Sequence, residues 1–128
     1  KKVLNLLIEN NNEIILIYPI PTQGWNVPNL FFYEKFDWGD TVGYPYELWT
    51  ERSKESKKLL DSIQSNKISR IYPENIFCKG FVYNTCVGAF KDKLFYSDDD
   101  HLSDEGAILV GDLIIQEIMK FLDLKKDY

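Results

Sequence analysis

A chain of 128 residues is long enough for one compact domain and no more. Hydrophobic residues make up 45% of it and aromatics 15%, which supports a packed core and excludes a disordered tail. The net charge is −5, with acidic and basic residues interspersed and no basic stripe. That argues against nucleic-acid binding, which sets clustered Lys and Arg against phosphate.

Lys54, Lys57 and Lys58 do cluster, but Glu51, Glu55 and Asp61 lie among them at helical spacings, as on a solvated helix face. The longest apolar runs, such as Ile14–Tyr18 and Ile108–Val110, fall far short of the roughly 20 residues of a membrane span. The sequence starts at Lys1 without a Met and goes directly into an apolar segment. We expect a piece of a longer chain, folded as a single domain over residues 1–128.

In chain order, residues 3–9 read as the end of a helix and Asn10–Asn12 as a turn. Glu13–Tyr18, with three isoleucines and stopped by Pro19 and Pro21, predicts a strand buried on both faces. Helix followed by buried strand is half of a βαβ unit, so the expected sheet is parallel. Pro19 to Pro45 holds all but one of the prolines and reads as a long loop, with a helical turn or two over Asn29–Phe36. A helix over 47–66 carries Leu48, Trp49, Arg52, Leu59, Leu60 and Ile63 on a partial apolar stripe. Ile68–Tyr72 predicts a second strand, ended by Pro73, and Lys93–Tyr96 a brief third.

The last helix has the clearest start. Ser103 is a good N-cap, and Asp104 and Glu105 occupy the first turn, where acidic residues favour the positive helix end. Ala107, Val110, Ile114, Ile118, Phe121 and Leu122 recur at helical spacing, and Lys120, Lys125 and Lys126 suit the negative end.

Cys78 and Cys86 match neither a CxxC redox motif nor a zinc site, because there is no second pair and the one His lies far along the chain. Two buried free thiols are one reading. The surrounding Gly, Asn and Lys suggest an exposed hairpin, where a disulfide would close a short loop and add about 2–3 kcal/mol in the chain-entropy model. A bridge would imply an oxidising compartment.

The stretch Phe95–Ala107 carries the chemistry. His101 is the only His, and Asp98 lies three residues before it in a loop between a short strand and a capped helix. A turn of that length can bring a carboxylate to one ring nitrogen, fix the tautomer and leave the other nitrogen outward as a general base. Residue by residue, blander readings compete: a capping or surface His, and a solvated turn for Asp98–Asp100. A calcium loop is disfavoured, since the spacing and closing Glu of an EF-hand are absent. No metal site is expected.

Taken jointly, Tyr96, Asp98–Asp100, His101-Leu102-Ser103 and Gly106-Ala107 resemble the last block of SGNH hydrolases, where Asp-x-x-His supplies two triad members ahead of the final helix. More narrowly, they resemble the SGNH domain appended to membrane-bound acyltransferase-3 proteins, which modify bacterial surface glycans. Tyr18-Pro19-Ile20-Pro21 followed by Gly24-Trp25-Asn26-Val27-Pro28, and the paired cysteines upstream of the Asp/His block, also resemble that group. The resemblance runs in order over residues 13–123.

This resemblance implies a three-layer, flavodoxin-like α/β fold, a parallel sheet between helices, incomplete at its N-terminus. His101 would be the general base and then the general acid, and Asp98 would orient it. Trp25 is a candidate contact for a sugar ring, with ordinary packing as the other reading. The acceptor would be a glycan, and an N-terminal transmembrane acyltransferase domain of the same chain would supply the acyl group. Localisation would be extracytoplasmic, on the periplasmic face, with no cofactor. SGNH proteins carry their serine in a Gly-Asp-Ser block near the domain's start; Gly39-Asp40-Thr41 imitates it superficially, with Thr in place of Ser and after a core strand. The nucleophile is therefore expected upstream of Lys1, and the segment alone is expected to be inactive as a hydrolase. Two alternatives are a non-catalytic carbohydrate-binding module on the same scaffold, and a cytosolic α/β domain whose Asp/His block is accidental.

Overall fold

The computed structural model of the protein describes residues 1–33 and 41–124. Its elements are α1 (Lys2–Glu9), β1 (Ile14–Ile17), α2 (Val27–Tyr33), β2 (Thr41–Pro45), α3 (Tyr46–Asp61), β3 (Ile68–Ile71), α4 (Glu74–Phe77), β4 (Thr85–Phe90), β5 (Lys93–Leu94) and α5 (Asp104–Leu124). Trp38, Gly39, Asp40, Lys125 and Lys126, and the end of the helix expected over Asn29–Phe36, lie outside the described residues.

The fold is α/β, with its strands in two sheets. The β-branched runs of β1 and β3 pair in parallel, Ile14 opposite Ile68 and Ile17 opposite Ile71. The two strands were expected from their apolar runs, and the parallel direction from the order of helix and strand. Burial of β1 on both faces was not confirmed: Ile14 is buried, but Ile17 is 41% exposed.

The second sheet, in the order β2-β4-β5, is antiparallel and was not anticipated. Its strand β2 falls inside the Pro/Gly-rich stretch read as a loop. Gly43 allows the close approach there: a Cβ on it would lie 3.0 Å from the Cys86 carbonyl oxygen.

The main core lies around this antiparallel sheet, with Phe77, Val87, Phe95, Tyr96 and Val110 among its buried residues. A smaller cluster of Ile14, Ile63 and Ile68 sits under the parallel pair. Helix α3 ends at Asp61 rather than 66, since the chain turns there and sends Ile63 into that cluster.

The cysteine segment differs from an exposed hairpin. Cys78 and Cys86 are joined in a disulfide that ties the end of α4 to β4, and both are buried. The polar residues that suggested exposure form only the tip: Tyr83 is 89% exposed, and Asn84 takes the left-handed conformation of the turn. The bridge thus lies inside the core, beside Phe77, whose ring stands 5.6 Å from that of Tyr96.

Candidate active site

The loop after β5 is framed before it is functional. Phe95 and Tyr96 are buried, and the Phe95 N–H donates to the Gly88 carbonyl at 2.8 Å. The Tyr96 hydroxyl donates to the Pro21 carbonyl at 2.5 Å. Burial pushes the Tyr96 pKa upward, so that group stays a donor.

Tyr96 and Leu102 bridge across the base of the loop, and the Ser97 N–H donates to the His101 carbonyl at 2.9 Å. Ser103 closes it. Its N–H donates to the Phe95 carbonyl, its Oγ donates to Leu94 O at 2.5 Å, and the same Oγ accepts from the Gly106 N–H at 3.2 Å. The N-cap reading of Ser103 agrees with this geometry. A five-residue excursion, Ser97–His101, is thereby pinned between the sheet and α5.

Within it, Asp98 Oδ1 accepts the N–H groups of Asp100 at 2.9 Å and His101 at 2.7 Å. Asp98 Oδ2 accepts from His101 Nδ1 at 2.8 Å. The carboxylate therefore builds the turn with one oxygen and orients the imidazole with the other. Asp100 Oδ1 also lies 2.9 Å from Nδ1. The imidazole is exposed, and among the described residues no hydrogen-bond partner meets Nε2.

The backbone N–H groups of His101 and Asp100, and then the imidazole, hold the Asp98 carboxyl down at about 2. The hydrogen bond to Asp98, followed by the charges of Asp98 and Asp100, raises His101 above its ordinary 6.5. The stabilisation from Asp98 is complete above its usual carboxylate range and disappears as pH falls toward about 2. That from His101 is complete below 6.5 and fades as pH rises through its elevated pKa. Any activity using His101 as a base needs the neutral ring. The rising limb of a kcat/KM–pH profile should therefore have its midpoint above 6.5. A limb at or below that value would show that Asp98 does not charge-couple to the base during turnover.

The segment after β1 backs the loop. The Gln23 N–H donates to the Asp99 carbonyl at 2.7 Å and the Val27 N–H to the Asp98 carbonyl at 3.2 Å. Trp25 sits between these two anchors, half-buried, edge-on to Tyr44 at 5.6 Å, with its Nε1 buried. The Pro-Trp segment and the Asp/His loop, singled out separately in the sequence, are thus in contact.

Gln23 was missed. It is wholly buried, and its side-chain amide has no hydrogen-bond partner among the described residues. Two adjacent polar residues between Pro21 and Gly24, in the segment that follows β1, were the available signal. Asp98, Asp100 and His101 also bring ligand-type atoms within 4.8 Å of one another. Exposed acidic groups commonly stand this close without holding an ion.

The fold and loop define an α/β domain with a carboxylate–imidazole pair on the turn before its last helix. The description of SGNH domains fused to AT3 domains matches residues 1–116, and the chain belongs to that family. It is an SGNH-type acyltransferase/esterase domain. No curated protein and no solved structure matches it. No helix of the described residues is long and apolar enough to cross a membrane.

Proposed function

We propose that the domain moves an acyl group, most simply acetyl, to or from hydroxyls of a bacterial surface glycan through a Ser-His-Asp triad. The observation that carries this reading is the 2.8 Å contact between Asp98 and His101 Nδ1, with Nε2 left facing outward. The serine Oγ attacks the acyl carbonyl as Nε2 takes its proton, and the leaving alkoxide takes that proton back as the acyl-enzyme forms. A glycan hydroxyl or water then enters by the same steps in reverse. Asp98 holds the ring and stabilises the imidazolium. This chemistry calls for no metal or cofactor.

In this reading the serine belongs to chain preceding Lys1, together with a strand that completes a three-layer fold. Support comes from apolar side chains left uncovered on three elements: Val3 and Leu6 on α1, Ile17 on β1, and Ile108 and Ile115 on α5. The AT3 portion of the same polypeptide would supply the acyl group, and Trp25 would line the glycan side of the loop. The buried Cys78–Cys86 bridge supports an extracytoplasmic, membrane-tethered position, where disulfides persist. The test is hydrolysis of a chromogenic acetyl ester by an N-terminally longer form, compared with its His101→Ala variant. Equal rates would remove His101 from the chemistry and favour a carbohydrate-binding role.

A further inference from the structure

We propose that Asp100 is a second positioning carboxylate for His101, sharing Nδ1 with Asp98; this rests on the reading of His101 as the base. The two carboxylates reach the same nitrogen at nearly the same distance, 2.8 Å for Asp98 and 2.9 Å for Asp100. They are held differently. Asp98 is fixed, because its other oxygen accepts two backbone N–H groups. The Asp100 side chain is 53% exposed and meets Nδ1 as an ion-pair contact, with no side-chain hydrogen bond among the described residues, so it can follow the ring.

The difference matters because the imidazole is 75% exposed. Water competes for an exposed Nδ1–H, and a single carboxylate would lose the ring orientation each time the bond opened. A second acceptor beside the first recaptures the same tautomer. It also places a second negative charge against the imidazolium that forms when the base takes its proton.

Asp99 provides the internal comparison. It carries the same charge one residue away, but its side chain makes no contact with the ring within 4 Å, and its carbonyl is tied to Gln23. The other segment packed on the loop, residues 22–27, carries no charged side chain. Asp104 and Glu105, at the start of α5, make no contact with the imidazole within 4 Å.

The experiment is an NMR titration of His101. It is the only His of the chain, so its ring signals need no assignment. The wild type is compared with Asp98→Asn, Asp99→Asn, Asp100→Asn and the Asp98→Asn/Asp100→Asn double variant. Asn at 98 keeps an oxygen for the two backbone N–H groups, so the turn survives. Asp100→Asn should lower the midpoint more than Asp99→Asn does. The double variant should fall below Asp98→Asn alone and lose the tautomer preference in the ring nitrogen shifts. A shift for Asp100→Asn no larger than for Asp99→Asn would overturn the proposal, leaving only general charge. So would a double variant indistinguishable from Asp98→Asn. Neither result depends on turnover, so this proposal and the catalytic reading fail separately.

Discussion

His101→Ala, introduced into a form of the protein that carries the nucleophile, should reduce acetyl-ester hydrolysis by about a hundredfold or more. The fold should be unaffected. The side chain is 75% exposed, and the loop is held by backbone bonds at Ser97 and Ser103 and by the Asp98 turn, none of which uses the imidazole. Measured at a pH above the raised His101 pKa, where the ion pair no longer contributes stability, a loss of activity with an unchanged melting temperature therefore reads the chemistry alone. Asp98→Asn should cost less than His101→Ala. The Asn oxygen still accepts the two backbone N–H groups, and Asp100 still faces Nδ1. What is lost is the fixed charge that orients the ring and stabilises its protonated form.

The second large effect is on stability. A methyl group at Gly106 would overlap the Phe95 carbonyl oxygen and lie 3.1 Å from the Leu102 side chain. That carbonyl belongs to buried backbone which already accepts from the Ser103 N–H, so it cannot give way without moving the N-cap. Gly106→Ala should destabilise the domain by about 1–3 kcal/mol, the range for forcing extra volume into a packed site. It should also reduce activity, because α5 and the Asp/His loop share this junction.

Gly111, in the same helix, has nothing within 4 Å of an added Cβ. Gly111→Ala should therefore stabilise by about 1 kcal/mol through helix propensity. Thermal denaturation of the two variants gives opposite signs if α5 is seated against Phe95 at Gly106. Equal changes would contradict that seating.

Which features the sequence revealed depended on how local they were. The Asp98–His101 contact was within reach of the sequence because both partners sit in one short turn, where three-residue spacing can bring a carboxylate to the imidazole, and the family resemblance selected that reading over a surface His. The N-cap at Ser103 and the existence of the two isoleucine-rich strands were legible for the same reason, each resting on a short pattern with one dominant physical cause, whereas which strands pair depends on residues remote in sequence.

The role of Asp100 was not legible. Three consecutive aspartates are equivalent as letters, and only the turn decides which of them faces the ring. Strand β2 was hidden because Gly43 and Pro45 normally break strands. Gly43 is instead used for close approach, and Pro45 stands at the strand's end. The cysteines were misplaced outward because the polar tip at Asn84 dominated the local composition. Their burial comes from packing of α4 against β4, which no window of that length contains. Gln23 was missed because its backbone partner, Asp99, is remote in sequence.

The central claim is that His101 activates a serine. Reaction of an N-terminally longer form with a serine-directed phosphonate, followed by peptide mapping, tests it most directly. One adduct on a serine preceding Lys1, formed far more slowly when His101 is replaced by Ala, is the expected result. Absence of any adduct, or an adduct that forms at the same rate without His101, would contradict the triad and leave the Asp98–His101 pair as a structural turn.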